Sequence, residues 1–157
     1  MVPEMAADEA RRRFAAARVA RLATVDGAGR PHLVPVVFAV RNAAGGNCMD
    51  GIVTAVDGKP KTTTRLKRLR NIAAHPAVSL LVDAYGEDWE RLWWVRADGE
   101  ARVLGPDATD VVVRAAHRAA LGRLRDKYAQ YRDRPPTGPV VTVNVTRWTG
   151  WCAGPLA

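Results

Sequence analysis

Two periods of apolar residues organise the chain. Near its end, Val141, Val143 and Val145 alternate with Thr142, Asn144 and Thr146, the period-two pattern of a half-buried strand running from Val140 to Thr149. Between Thr62 and His75, Leu66, Leu69 and Ile72 or Ala73 recur every three to four positions, predicting a helix whose apolar stripe faces the core. On that helix Arg65, Lys67, Arg68 and Arg70 turn outward or sideways, and His75-Pro76 ends it. The remaining segments follow the same logic. Pro3 to Ala20 reads as a helix packed across the end of a barrel, acidic at its start, basic later, with Phe14 among alanines. Arg21 to Val25 and Arg30 to Val40 form a hairpin about the turn Asp26 to Gly29. Pro31 and Pro35 cannot donate to a ladder, so the second of these strands is an edge, carries a bulge or breaks near Pro35. After a turn at Arg41 to Asp50, Gly51 to Val56 has the composition of a buried strand.

Ala77 to Tyr85 is nearly continuous apolar sequence, as a strand buried on both faces would be. Two strands, Glu90 to Ala97 and Glu100 to Leu104, are expected to meet in a hairpin at Asp98-Gly99. Gly105-Pro106-Asp107 signals the start of a long helix reaching about Arg132, and the proline-rich run to Pro139 stops it. Short strands joined by tight turns predict an antiparallel sheet that curls into a barrel, mainly β, with helices inserted between groups of strands. At 157 residues, 1–157 is expected to be a single domain or one subunit of an oligomer.

Charge sharpens the picture. A net charge of +8 calls for an anionic partner or marks a basic surface, while 48% hydrophobic and 25% charged residues are ordinary globular values. Cys48 and Cys152 lack metal-ligand or CxxC spacing, so they are read as reduced thiols, with no metal site. No apolar run approaches the roughly 20 residues that cross a bilayer, and no signal peptide precedes the first helix, so a cytoplasmic location is expected. The aromatics cluster with apolar neighbours instead of interleaving with basic residues as stacking platforms do, which argues against nucleic acid.

The candidate chemistry lies between Lys59 and Pro76. A buried strand, a turn carrying Lys59 and Lys61, and the hydroxyls of Thr62, Thr63 and Thr64 at a helix start together make an anion site. The bland alternative is a solvated basic helix capped by threonine. His32 beside Pro31 is a candidate proton donor or ligand contact, or simply a hydrogen-bonded structural histidine. Trp93 and Trp94 are adjacent, so on a strand they point to opposite faces. At most one enters a core, and the other covers a ligand, a helix or, preferably, a partner subunit.

The order and spacing of several motifs resemble the split β-barrel flavin and deazaflavin oxidoreductases, the pyridoxamine-phosphate-oxidase-like superfamily, and within it the actinobacterial F420-dependent branch. The matching residues are Ala20 to Val25 with Gly29 to Val36, Lys59-Pro60-Lys61 through Leu66, Leu69, Asn71 and Pro76, then Val78 to Asp83, Asp88-Trp89, Leu92 to Arg96, and Gly99 with Ala101. The resemblance covers Val19 to Leu104 and, more loosely, the last strand.

It implies an antiparallel FMN-binding split barrel of about 6–7 strands and 3 helices, assembled as a homodimer with two cofactor sites at the subunit interface. It places a ring system near His32, Pro35, Val36 and Thr54, and a phosphate with an acidic tail near Lys59, Lys61, Thr62, Arg65 and Arg68, with Asn71 close by. Trp93 or Trp94 comes from the opposite subunit. The surplus of cations on the basic helix favours F420, whose polyglutamate tail adds charge, over FMN. The implied activity is hydride transfer between F420 and an electron-poor small-molecule acceptor, the protein orienting both and excluding water. An FMN-dependent oxidase or reductase and a non-catalytic cofactor-binding protein remain the alternatives.

Overall fold

The computed structural model describes residues 4–43, 49–56 and 63–155, and the side chains of all of these except 63–66. In chain order the elements are α1 (Ala7–Ala16), β1 (Ala20–Val25), β2 (Pro31–Val36), β3 (Ala39–Arg41), β4 (Gly51–Ala55), α2 (Thr63–Ala74), β5 (Ala77–Ala84), β6 (Trp93–Leu104), α3 (Val111–Lys127), α4 (Ala129–Asp133) and β7 (Val140–Cys152). The strands form one antiparallel sheet of seven, ordered β2-β1-β5-β6-β7-β4-β3. Its edges, β2 and β3, are consecutive in the chain and only Val37 and Phe38 separate them. The sheet therefore curls until its ends nearly meet, an antiparallel split barrel left open at that point, with three long helices and one short one.

Proline explains the opening. Pro31 and Pro35 lie in β2 at the sheet edge, where a missing N–H costs no ladder bond, and the chain leaves the sheet directly after Val36. Two side chains hold the break. Thr54 on β4 donates its hydroxyl to the Val37 carbonyl at 2.7 Å. The Tyr128 hydroxyl accepts from the Phe38 N–H at 3.1 Å and lies 2.9 Å from both the Phe38 and Arg18 carbonyls.

Two hydrophobic clusters flank the sheet. One fills the barrel with Phe14, Leu22, Phe38, Ile52, Leu80, Val95 and Val143; the other sits outside, between the sheet and α3, with Ala39, Val53, Leu104, Leu124 and Val140. Strand β4 is buried at every position because Ile52 meets the first cluster while Val53 and Ala55 meet the second. By contrast β5 alternates: Val78, Leu80 and Val82 are buried and its other positions are not, so the expectation of burial on both faces does not hold there. Helix α1 closes one end of the barrel through Phe14, whose ring centroid is 4.8 Å from Phe38 and 5.2 Å from Trp148. Asp50 fixes this closure, accepting from Arg11 and the Trp148 indole at 3.0 Å each and from the Ala43 N–H at 2.8 Å. Burial pushes the Asp50 carboxyl upward, but the bonds from Ala43, Arg11 and Trp148 and the charge of Arg11 outweigh it and hold the group below the usual range.

Four boundaries differ from the sequence reading. The expected hairpin at Asp98-Gly99 is one continuous strand carrying a bulge against β7. A Cβ on Gly99 would strike the Asn144 backbone carbonyl, so this glycine serves strand approach and not a turn. Upstream, Trp89–Arg91 forms a single 3-10 turn capped by Asp88 before β6 begins. The first helix is shorter than Pro3 to Ala20: Met5 instead donates to the Gly150 carbonyl at 3.0 Å, and Ala20 already opens β1. The long C-terminal helix is capped by Asp110, three residues after Asp107, and breaks at Tyr128.

Candidate functional site

Strand β1 turns Ala20, Leu22 and Thr24 into the barrel. The last of these puts a hydroxyl on an otherwise apolar face, and two polar side chains gather about it. Asn71 of α2, 4% exposed, donates to Thr24 Oγ1 at 3.0 Å. His32 stands directly opposite Thr24 in the β1–β2 register, on the same face as Val34 and Val36. Its Nδ1 is buried and has no hydrogen-bond partner among the described residues. Leaving such an atom unpaired costs about 1–3 kcal/mol, so the position is suited to a group from outside the chain. Asp26 ties the adjoining turn to α2 across 4.0 Å to Lys67. The Arg30 N–H lowers the Asp26 carboxyl first, desolvation opposes it, and the Ala28 N–H and the charges of Lys67 and Arg30 add to the lowering.

The structure divides the expected ring-side residues. Val36 and Thr54 are buried near the β2–β3 break, four residues along β2 from His32, about 13 Å by strand rise. The Thr54 hydroxyl is already committed to the Val37 carbonyl. Pro35 points the other way, exposed on the outer face with Leu33, which is 66% exposed. Of the phosphate-side residues, Asn71 belongs to the Thr24 cluster and Arg68 is half-buried on α2. Lys59, Lys61 and Thr62, like Cys48, lie outside the described residues, as does the side chain of Arg65.

The two tryptophans part as adjacent strand residues must. Trp93 packs on the barrel core with the Arg13 guanidinium 5.3 Å above its ring. Trp94 lies on the outer sheet face and, with Leu81, Asp83, Tyr85 and Arg96, lines a shallow cavity of about 300 Å³. Arg96 sits 6.0 Å over the Trp94 ring, and Tyr85 is 61% exposed. The register runs this face on through Pro35, Arg21, Leu81, Arg96 and Thr149, and Thr149 Oγ1 is, after His32 Nδ1, a second buried polar atom with no partner among the described residues. Sequence reasoning missed Thr24, although a threonine in the inward register of Ala20 and Leu22 is the signal that finds it. It also missed Tyr85 and Leu81, whose placement beside Trp94 depends on strand register.

A family profile described as pyridoxamine 5'-phosphate oxidase matches residues 6–152. No curated protein matches the chain significantly. Among solved structures, an FAD-binding protein from Mesorhizobium loti superposes with a TM-score of 0.67 at 21% identity, covering 96% of each chain. A conserved hypothetical protein from Mycobacterium tuberculosis gives 0.68 at 19% identity, over 97% of this chain and 87% of the other. An FAD-binding protein from Mycobacterium smegmatis gives 0.59 at 19% identity, over 94% and 96%. At these identities the structural matches speak for the fold.

Proposed function

The chain belongs to the pyridoxamine 5'-phosphate oxidase family, and from that premise we propose that it is an F420-dependent oxidoreductase working as a homodimer on an electron-poor small molecule. The observation that carries the reading is the buried Nδ1 of His32, without a partner among the described residues, opposite the Thr24 that Asn71 ties to a helix rich in cations. An imidazole held this way can donate to or accept from a polar ring edge, so the residues present fit a flavin-type group. Two structural neighbours are named for FAD binding, which supports the same class of cofactor.

When bound, the deazaflavin supplies the hydride chemistry. The chain's own residues bind and orient. His32 would hold the ring edge, with Val36 and Thr54 shaping the wall behind it, and Asn71 and Thr24 keep α2 against β1. Lys59, Lys61, Thr62, Arg65 and Arg68 would take the phosphate and the acidic tail. Arg65, Lys67, Arg68 and Arg70 exceed what one phosphate needs, and this surplus is what favours F420 over FMN. The outer face bearing Pro35, Leu33, Trp94 and Tyr85 would meet the second copy, excluding water and bringing Trp94 over the partner's site. His32 is also the one candidate proton donor, solvent being the other source.

Titration with oxidised F420, and separately with FMN, followed by tryptophan fluorescence, tests this. Selective quenching by F420, weakened about tenfold or more in Lys61→Ala and Arg65→Ala, is expected. Equal or tighter binding of FMN would overturn the deazaflavin assignment in favour of an FMN enzyme, and binding of neither would overturn the cofactor site.

A further inference from the structure

A second site lies on the opposite side of the sheet from His32, beneath α3. Four strands set its floor. Arg41 of β3 pairs with Gly51 of β4, and Gly51 pairs with Asn144 of β7, so the three share one row across the sheet. Because Gly51 has no side chain, the Arg41 guanidinium lies down across it: a Cβ there would sit 2.9 Å from both Nε and Nη2. Arg41 Nη2 is steadied by the Met49 carbonyl at 3.2 Å. In the adjoining row Thr142 of β7 pairs with Arg102 of β6. The helix above contributes Ala116, Ala119, Ala120 and Arg123, spaced i, i+3, i+4 and i+7 and hence on one face. Three alanines keep that face shallow, and they leave a cavity of about 260 Å³ with Arg123 at one end.

The charge of this cavity is one-sided. Among the described residues its lining holds three arginines and no carboxylate. Elsewhere arginines meet acids: Arg11 with Asp8 and Asp50, Arg12 and Arg13 with Glu9, Arg96 with Asp98. Arg102 and Arg123 have no hydrogen-bond or ion-pair partner among the described residues, and Glu100, two positions from Arg102 on the same strand, forms no pair with it. Guanidinium groups converging from β3, β6 and α3 match the planar oxygens of phosphate or carboxylate, and the Thr142 hydroxyl and Asn144 amide supply further bonds. The alanine wall and the Leu104 side chain suit a short apolar body.

We propose that this cavity binds a small polyanionic molecule, carrying phosphate or carboxylate groups on a compact body, independently of any cofactor at the His32 side. The test is thermal denaturation and isothermal titration of the full chain with sodium pyrophosphate and with citrate, at ionic strength held constant with KCl. Saturable stabilisation by one or both is expected, the better probe showing which oxyanion the site prefers. Arg102→Gln with Arg123→Gln should weaken binding at least tenfold. Gly51→Ala should weaken it as well without changing net charge, because it lifts the Arg41 guanidinium, whereas Arg118→Gln, which removes a charge from α3 outside the cavity, should not. Binding that survives the double substitution, an equal loss in Arg118→Gln, or stabilisation reproduced by KCl alone would each overturn the proposal.

Discussion

Replacing Tyr128 with phenylalanine removes one oxygen and leaves the ring, so it isolates what that oxygen does at the opening of the barrel. The hydroxyl accepts from the Phe38 N–H at 3.1 Å and has a single proton to share between carbonyls of Phe38 and Arg18, both at 2.9 Å. Phe38 is fully buried and lies between β2 and β3, so no ladder partner replaces the lost bond. An unpaired buried N–H costs about 1–3 kcal/mol and the donated bond contributes about 1 kcal/mol more, giving an expected loss of about 2–4 kcal/mol. The edge-on contact with Tyr131, centroids 5.9 Å apart, survives the change. Urea unfolding at neutral pH measures the loss, with an unchanged m-value showing that only stability moved. Amide hydrogen exchange at Phe38 should accelerate by a similar free energy, since the bond protects that group. Tyr85→Phe, at an exposed tyrosine with no hydrogen bond among the described residues, should stay within about 0.5 kcal/mol of the parent. A Tyr128→Phe protein as stable as this control would refute the view that the hydroxyl closes the split.

Lys127 donates to the Ala15 and Ala17 carbonyls at 3.1 and 2.7 Å over the Phe38 ring, and burial, with the charge of Arg18 adding, pulls its pKa from 10.5 to about 8. Between those two values the unfolded state binds more protons, so stability should rise with pH, and Lys127→Met should flatten the rise of Tm from pH 8 to 9.5; equal slopes would contradict this. Above pH 10 the opposite trend should enter, because burial raises the Tyr128 pKa against the bond at Phe38 and the charge of Arg18. Asp50→Asn should cost about 1–3 kcal/mol at neutral pH, its side chain being only 11% exposed among three donors. Because the folded Asp50 pKa is depressed, its stabilisation is complete above the ordinary value of 3.8 and fades as pH falls through the folded value, so acid titration of the variant should be shallower there. Gly99→Ala should cost about 2–4 kcal/mol by chemical denaturation, since the obstructing Asn144 carbonyl is backbone and cannot step aside; a neutral outcome would argue against the bulge.

Local chemistry was legible wherever it was decided locally. The alternation of Val141, Val143 and Val145, the stripe through Leu69 and Ile72 and the turn after Val25 all lie where the sequence puts them. The edge or break forced by Pro31 and Pro35 is found as both at once. What misled was ambiguity between local and distant causes. Asp98-Gly99 carries the residues of a hairpin turn, yet Gly99 answers to Asn144, 45 residues away in the chain. The apolar run of β5 suggested two buried faces, but its outer positions are only partly covered within one chain. The candidate site divides similarly. The pairing of His32 with Thr24 follows from the hairpin register, and Asn71 from helix period. The cavity bounded by Arg41, Arg102 and Arg123 depends on a glycine, four strands and a helix drawn from the 104 residues from Arg41 to Asn144, and no window of sequence displays it.

The sheet order also dictates when the molecule can become itself. Strand β7 lies between β6 and β4, so β4 waits for a neighbour that begins at Val140, some 85 residues after it ends. Until then the chain holds two separate pieces, the β3–β4 pair and the β2-β1-β5-β6 group, each with an unpaired edge. Closure of so long a loop is entropically slow, and it places folding in the millisecond-to-second range of non-local β topologies. The last strand therefore acts as the closing stitch. A ribosome-bound chain lacking it would expose two adhesive edges, and a chain truncated at Pro136 should aggregate and not fold to a smaller barrel.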